Sequence, residues 1–246
     1  TLFRSNIGVA GALGTADKDA TSGVIRFGST TNTGALSYLG TGDSTNRRVQ
    51  VGSGTGATAT GGATILSNGS GALVFTATTL NSAVTVGAAG GSTSRVLTLG
   101  GNNTNANTIQ GAIINNTGAG TSGTNAVALV KQDAGVWILA GASTYSGGTT
   151  VSGGTLVVNN ATGSATGTGS LSIASGGRLG GSGTAGSLAA GAALNQQTGG
   201  VIFAGQDGVQ DAQTLTLQAG AGFTLSGNIE LDLIGGGASG LLNAPS

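Results

Sequence analysis

The chain contains no cysteine, histidine or methionine, and its 246 residues include one proline, Pro245. The lack of cysteine excludes a disulfide framework and a thiolate metal site, and is compatible with export through an oxidising periplasm. The lack of histidine removes the commonest general base and metal ligand. With so little proline and no Gly-X-Y period, neither collagen nor a Pro-rich linker explains the glycine content.

Charge is also scarce. Charged residues make up 7% of the chain, and eight basic residues balance eight acidic ones. We therefore predict no nucleic-acid partner and no anionic-lipid partner. No apolar run approaches the ~20 residues of a membrane-spanning helix, so no membrane span is predicted in this chain. Thr1–Ser5 reads as a translated sequencing adapter, so these five residues are expected to be an artefact.

What the chain has in quantity is glycine, with 51 residues, between short blocks of Val, Ile and Leu. Many blocks alternate apolar residues with Thr or Ser, which indicates strands with one buried face. Gly, Asn and Asp supply the turns between them. No helix is predicted, and the predicted strand blocks lie at 24–27, 36–39, 49–51, 64–66, 73–75, 84–86, 96–99, 113–114, 127–130, 136–139, 156–158, 171–173, 201–203, 215–217, 223–225 and 229–233.

Short strands between turns fit a sandwich, a barrel or a solenoid. The strands are very short, glycine is dense, and aromatic residues make up only 3% of the chain, all of which favour the narrow stacked core of a solenoid. The asparagines of 102–105, 115–116 and 159–160 lie at block ends. There we expect them to adopt left-handed conformations and to bond to the turn of a neighbouring coil, with solvated loop asparagine as the alternative.

The segment 131–184 carries a run of spaced residues that strongly resembles the autotransporter-associated β-strand repeat. The family pattern begins with Lys-x-Gly-x-Gly-x-Trp-x-Leu, continues through a Thr-Tyr and Gly-Gly-Thr stretch, and closes on Gly-x-Gly-Thr. Asp133 stands where the family usually has Gly, and Ser143 where it usually has Asn. The matching residues are Lys131, Gly135, Trp137, Leu139, Gly141, Thr144, Tyr145, Gly147, Gly148, Thr149, Val151, Gly154, Thr155, Leu156, Leu179, Gly181, Gly183 and Thr184.

The resemblance implies an all-β, right-handed parallel β-helix, forming a single elongated domain. It also implies a structural or adhesive passenger or stalk segment of a bacterial protein that is extracellular or at the cell surface, associated with the outer membrane. We predict N-terminal coils over 6–130, the family repeat over 131–185 and further coils over 186–246, where the native protein is expected to continue. The expected partner is a surface, glycan or protein ligand, and the expected oligomeric state is a monomer.

The chain is predicted not to be an enzyme, with no catalytic, cofactor or metal residues. One alternative is part of a polysaccharide-active β-helix enzyme, a glycosidase or lyase, whose catalytic residues lie elsewhere. The other is a purely structural spacer with no ligand, which flanks lined uniformly by Thr, Ser and Asn would favour. Glu230 and Asp232, two apart on a strand, would face the same side. A solvated strand face is favoured for them, because no Arg, Lys or aromatic residue lies between Phe223 and Ser246. Clustered carboxylates with basic partners in neighbouring coils would favour the enzyme.

Other motifs have plainer explanations. The spacing Gly181-x-Gly183-x-x-Gly186, with Asp207 beyond, matches a dinucleotide motif, but about two such matches are expected by chance at this glycine content. Asp17-Lys18-Asp19, Asp207 and Asp211 are interpreted as loop residues rather than calcium ligands. Trp137 and Tyr145 are expected to pack inside a coil rather than stack on sugars. Arg47-Arg48 is predicted to form an exposed turn.

Overall fold

The structure is a computed structural model. It describes residues 24–28, 31–52, 60–77, 94–115, 126–205 and 213–230, and the backbone of three strands between 233 and 243. These described residues form strands and turns and contain no helix. Most of the strands are three to six residues long, the length at which the predicted blocks recur.

The strands are numbered in chain order. They are β1 (Val24–Phe27), β2 (Gly34–Tyr38), β3 (Thr41–Thr45), β4 (Arg48–Val51), β5 (Ala63–Ser67), β6 (Gly71–Phe75), β7 (Arg95–Gly100), β8 (Asn107–Ile109), β9 (Val127–Lys131), β10 (Val136–Leu139), β11 (Thr149–Val151), β12 (Gly154–Val158), β13 (Leu171–Ile173), β14 (Gly177–Gly181), β15 (Thr184–Ser187), β16 (Leu194–Gln196), β17 (Val201–Phe203), β18 (Thr214–Ala219), β19 (Phe223–Leu225), β20 (Asn228–Glu230), β21 (Leu233–Ile234), β22 (Ala238–Ser239) and β23 (Leu241–Asn243).

Two eight-stranded parallel sheets run the length of the described chain. Sheet 1 has the order β2-β5-β7-β9-β11-β13-β16-β19, and sheet 2 has the order β3-β6-β8-β10-β12-β14-β17-β20. Successive coils of the chain therefore add one strand to each sheet in turn. A third position in the coil, after the sheet 2 strand, holds the parallel pair β1-β4 and the three-stranded sheet β15-β18-β23.

The register stacks side chains of one coil on those of the next. In sheet 1, Leu97 pairs with Leu129, and farther along Leu171 pairs with Leu194. In sheet 2, Leu156 lies between Trp137 and Leu179. These inward side chains are buried in one hydrophobic cluster along the solenoid. Because each coil buries its apolar face only against its neighbours, stability is distributed along the stack rather than held in a globular centre.

The prediction of an all-β parallel β-helix is confirmed by this topology. Most predicted blocks within the described residues coincide with strands, such as Val136–Leu139 and Leu171–Ile173. Residues 113–114 do not form a strand, although Ile113 is buried and its carbonyl accepts the Thr144 amide at 3.0 Å. Block 84–86 lies outside the described residues. The right-handed sense of the coil and the division at 130 and 185 stay predictions.

The asparagines at block ends do bond between coils. The Asn68 side-chain carbonyl accepts the Asn102 amide at 3.0 Å, and Asn160 Oδ1 accepts the Thr184 amide at 3.0 Å. The expected left-handed conformation is wrong for the asparagines that the structure describes. Among the described non-glycine residues, Asp133 alone has a positive φ, at 60°. The described asparagines at these block ends have no positive φ, and Asn103 and Asn105 bond to the preceding coil through their side-chain amides.

Candidate functional site

The outer surface of sheet 2 carries a groove of about 740 Å³. Its floor comes from β10 and β12, where Val136 pairs with Thr155 and Ile138 pairs with Val157. Strand side chains alternate between the two faces of a sheet, so these four point outward while Trp137 and Leu156 point into the core. Three of the four floor side chains are aliphatic, and the fourth carries a hydroxyl.

The walls of the groove come from the turns on either side. Thr104 and Ala134 precede the sheet 2 strands, while Asn159 and Ser182 follow them. The Asn159 side-chain oxygen accepts a hydrogen bond from the Ser182 backbone amide at 3.2 Å, which links two successive coils at this edge. None of the described side chains that line the groove is charged. The described part of the groove surface is therefore apolar and neutral polar.

Beyond Val157 the surface of sheet 2 changes character. Gly180 on β14 pairs with Val157, and the ring of Phe203 covers it so closely that an added Cβ would lie 2.1 Å from the ring. The Arg178 guanidinium lies 5.3 Å from the centre of the Phe203 ring and 2.7 Å from the Glu230 carboxylate. This stack ties three successive strands of sheet 2 together, because Glu230 also pairs with Phe203 in the ladder.

Trp137 and Tyr145 are fully buried, so the predicted packing roles are confirmed. The Trp137 indole donates to the Gly100 carbonyl at 3.0 Å, in the preceding coil. The Tyr145 hydroxyl lies 2.5 Å from the Thr149 hydroxyl, which donates to the Thr166 carbonyl at 3.0 Å. Burial raises the pKa of Tyr145, and the hydrogen bond to Thr149 opposes that rise. Neither ring reaches the groove.

Lys131 is also buried, in an inward column of sheet 1 between Leu99 and Val151. Its ammonium donates to three backbone carbonyls, those of Gln132 at 2.7 Å and of Asp133 and Gly153 at 2.9 Å. Desolvation lowers the pKa of Lys131 to about 8, against the opposing effect of the nearby Asp133 carboxylate. This lysine is satisfied within the fold, so it holds the turn between the sheets rather than offering a reactive amine.

Both departures from the family pattern have a structural explanation. Asp133 adopts the left-handed conformation that a glycine there would supply, and its carboxylate accepts the Gly101 amide at 2.8 Å. A short polar side chain tolerates that conformation better than other residues do. Ser143 is buried, and its hydroxyl accepts the Ile113 amide at 3.2 Å. Both residues therefore preserve coil-to-coil bonding.

Asn107 is a core residue that sequence reasoning missed. It is fully buried and pairs with Trp137 in an inward column of sheet 2. Its side-chain oxygen accepts the Ser67 hydroxyl at 2.8 Å and the Leu73 amide at 2.9 Å, and its amide nitrogen donates to the Val136 carbonyl at 2.9 Å. In the sequence Asn107 is one of several asparagines in a turn-like stretch. Only the coil register distinguishes it.

The residues of the enzymatic alternative are not brought together. Glu230 is exposed and bonded to Arg178, a basic partner two coils away that sequence reasoning did not pair with it. Asp232 lies outside the described residues. Within the described ranges, no group of three or more acidic, histidine or cysteine side chains could hold a metal ion. Asp17, Lys18, Asp19, Asp207 and Asp211, named for the calcium hypothesis, also lie outside them.

The glycine motif lies at a coil corner. Gly181 and Gly186 have φ values of +123° and +83°, and Gly183 packs directly against Asn160. They flank the β14–β15 corner, where close approach between coils demands glycine. The prediction of an exposed Arg47-Arg48 turn is wrong, because Arg47 is only 2% exposed and Arg48 is half-buried. Arg47 directly precedes strand β4, and its side chain is buried within the coil rather than exposed to solvent.

A helix able to cross a membrane is absent from the residues that the structure describes. A family model described as the passenger-associated-transport-repeat matches residues 129–158. That stretch contains Lys131, Trp137, Tyr145 and the four floor residues of the groove. The groove and the buried repeat residues therefore belong to opposite faces of the same family unit.

The adhesin BmaC autotransporter of Brucella suis biovar 1 (strain 1330) is 35% identical to the chain over 164 residues. The match covers 66% of this chain and 4% of that relative, so the chain spans about one twenty-fifth of the length of the curated relative it matches. No solved structure gives a match. Taken with the parallel β-helical fold, the repeat model and this relative identify the chain as an autotransporter passenger-like repeat protein, with an extracellular or cell-surface location.

Proposed function

We propose that the chain is a non-catalytic, adhesive segment of a surface passenger. The observation that carries the proposal is the 35% identity with an adhesin over two thirds of the chain, which includes the repeat at 129–158. A stacked solenoid supports this role, because its length is set by the number of coils and its outer sheet faces stay continuous from coil to coil. Such faces provide an extended contact surface without any reaction chemistry.

The distribution of described carboxylates supports the non-catalytic part of the proposal. Glycoside hydrolysis needs two carboxyl groups roughly 5 to 10 Å apart. Asp43 on β3 and Glu230 on β20 stand at opposite ends of sheet 2, which is seven strand spacings of about 4.8 Å. Asp133 lies at the turn before β10 and bonds to Gly101. No two of these three carboxylates form such a pair.

The adhesive role is tested with the 246-residue chain coupled to fluorescent beads and presented to epithelial cell layers and to immobilised matrix proteins. Beads carrying the folded chain should adhere several-fold more than beads carrying the same chain after thermal unfolding. Equal adhesion of the two preparations would refute the proposal. The non-catalytic part is tested separately by incubating the chain with neutral and acidic polysaccharides. Release of new reducing ends or unsaturated products would support the enzyme alternative instead.

A further inference from the structure

We propose that the groove on sheet 2 binds an uncharged polysaccharide chain. This inference rests on the proposed adhesive function and names its ligand class. The first supporting observation is Thr155, which lines the groove floor and is only 6% exposed. Its side chain makes no hydrogen bond to the described residues, although its backbone amide pairs with Gly135. The Thr155 hydroxyl is accessible from the groove and has no partner among the described residues, so a ligand hydroxyl can bond to it.

The second observation is the open hydrogen-bonding capacity of the walls. The Asn159 Oδ1 atom accepts hydrogen bonds from Ser182, but the Nδ2 atom of the same side chain has no partner among the described residues. Thr104 and Gln213, both exposed, line the same groove without side-chain bonds in the described part of the chain. Hydroxyl and amide groups both donate and accept hydrogen bonds. Sugar hydroxyls also both donate and accept hydrogen bonds, so a glycan can form hydrogen bonds with these side chains in either chain direction.

The third observation is the lack of charge in the described lining. No described groove-lining side chain is ionisable, and beyond the floor Arg178 and Glu230 are paired with each other. A polyanion such as a nucleic acid or an acidic glycan needs basic groups to replace its counterions. The described residues that line the groove provide no basic group. A neutral glycan makes no such demand, and the methyl groups of Val136, Ile138 and Val157 can cover the C–H face of its rings.

An extended peptide fits less well than a glycan. Peptides that add to a sheet bind at an edge with unpaired backbone groups. The floor of the groove is the interior of sheet 2, where the Val136 amide donates to Asn103 and the Thr155 amide donates to Gly135. The backbone groups of a bound peptide would have only a few side chains to pair with. Glycan hydroxyls can instead remain in contact with water at the open side of the groove.

Because the groove lacks an aromatic floor, we expect weak binding by a single site, with a dissociation constant on the order of a millimolar. The experiment uses the full chain and biolayer interferometry on immobilised polysaccharides. The neutral probes are a glucan, a mannan and a galactan, and the acidic probe is polygalacturonate. At least one neutral polysaccharide should bind, and polygalacturonate should not.

Two variants test the location. Thr155→Val removes the hydroxyl at nearly constant shape and should weaken binding about three- to tenfold. Val157→Lys places a charge in the floor and should abolish it. Thr150→Val is the matched control, because Thr150 occupies an outward position on sheet 1. Its affinity should be unchanged, and far-UV circular dichroism should show all three variants folded.

Binding that is unaffected by both groove variants, or weakened equally by Thr150→Val, would overturn the inference. So would binding of polygalacturonate alone, or capture of extended peptides from a synthetic array in place of every neutral glycan. The bead assay separates this failure from failure of the adhesive role. Beads that adhere without any neutral-glycan binding leave the adhesive role standing and refute the glycan groove. Beads that do not adhere refute the adhesive role itself.

Discussion

The two eight-stranded sheets share one backbone plan but differ in what they carry. The outward column of sheet 1 is mostly hydroxyl-bearing, and it comprises Ala35, Thr64, Thr98, Val130, Thr150, Ser172, Asn195 and Thr224. The matching column of sheet 2 holds Ser44, Val74, Thr108, Ile138, Val157, Gly180, Phe203 and Glu230. Parallel hydrogen-bond ladders constrain the backbone of both sheets equally, so the outward side chains of one sheet can change without altering the other sheet. In this chain the outward side chains are more varied in sheet 2 than in sheet 1.

The inward faces differ as well. One fully buried polar side chain inside sheet 2 is the neutral amide of Asn107, whereas a central inward column of sheet 1 contains the cation of Lys131. Both are fully buried and both bond to backbone groups in neighbouring turns or coils. Buried polar groups of this kind stabilise one register of the stack, because a shift by one residue would leave them without partners. The following experiments test how far the two sheets differ.

The largest effect is expected for Asn107→Ala in sheet 2. The substitution leaves the Ser67 hydroxyl, the Leu73 amide and the Val136 carbonyl without their side-chain partner. We expect the free energy of unfolding to fall by about 3 to 4 kcal/mol. Urea unfolding followed by the fluorescence of Trp137, the one tryptophan, reports on this region. The matched change on sheet 1, the exposed Asn195→Ala, should stay within about 0.5 kcal/mol, and equal losses would contradict the assignment of Asn107 as a buried hub.

The next effect is a pH dependence that belongs to Lys131 in sheet 1. Burial lowers its pKa in the folded chain to about 8, below the 10.5 that is usual for a solvated lysine. Between these values the unfolded chain binds the proton that the folded chain has released, so stability rises with pH. Relative to Lys131→Met, the free energy of unfolding of the native chain should increase by roughly 1 to 3 kcal/mol from pH 8 to 10.5.

The measurement for Lys131 is urea unfolding of both proteins at half-unit pH steps. Taking the difference between them cancels the titration of other groups. If the difference in free energy of unfolding between the two proteins stayed flat or fell from pH 8 to 10.5, the prediction would be wrong. Lys131 would then keep its proton in the folded chain, stabilised by its three carbonyl partners. Sheet 2 offers an internal comparison, since Asn107 does not titrate and Asn107→Ala should show no such trend.

A smaller effect is expected at the covered glycine of sheet 2. In Gly180→Val the added Cβ would meet the Phe203 ring at 2.1 Å, so the ring must move out of its stack with Arg178. We expect a loss of about 2 kcal/mol in the free energy of unfolding, measured by far-UV circular dichroism in urea. Ser172→Val, at an outward position of sheet 1, should be neutral or slightly stabilising. An unchanged free energy of unfolding in Gly180→Val would show that the position of the Phe203 ring does not depend on a glycine at residue 180.

The smallest effect is expected for the ion pair at the end of sheet 2. The Arg178 and Glu230 side chains are 28% and 47% exposed, so solvent screens their attraction. A double-mutant cycle with Arg178→Ala and Glu230→Gln should give a coupling free energy below about 1 kcal/mol that shrinks in 1 M salt. A coupling free energy several times larger and insensitive to salt would mean that the ion pair is shielded from solvent, contrary to this prediction.

Sequence reasoning found strands where apolar residues alternate, as in Val127–Lys131 and Val136–Leu139. It missed strands with little apolar content, among them TGDST in β3, GRLGG in β14 and TAGS in β15. Such segments have weak intrinsic strand propensity. They become strands because an adjacent coil presents a row of backbone partners, as Gly154–Val158 does to β14. The apolar pattern of a segment does not record which coil will lie beside it.

The same limit applies to the candidate site. The family repeat at 131–184 could be recognised from its spaced residues, and the packing roles of Trp137 and Tyr145 were predicted correctly. The groove could not be predicted, because Val136 and Thr155 are 19 positions apart and become neighbours only through the register of β10 and β12. The pairing of Arg178 with Glu230, 52 positions apart, is equally invisible in the sequence.

The amino-acid sequence by itself determined the all-β solenoid class, the repeat family and the absence of thiol and imidazole chemistry, because these follow from local alternation, composition and a run of spaced residues. Tertiary structure alone decided which polar residues are buried, which glycines lie beneath a neighbouring side chain and where a groove opens. The physical reason is that each coil is completed by its neighbours. The environment of a side chain is therefore set by residues one coil away, at distances along the chain that vary from 19 positions between Val136 and Thr155 to 34 between Ala63 and Leu97.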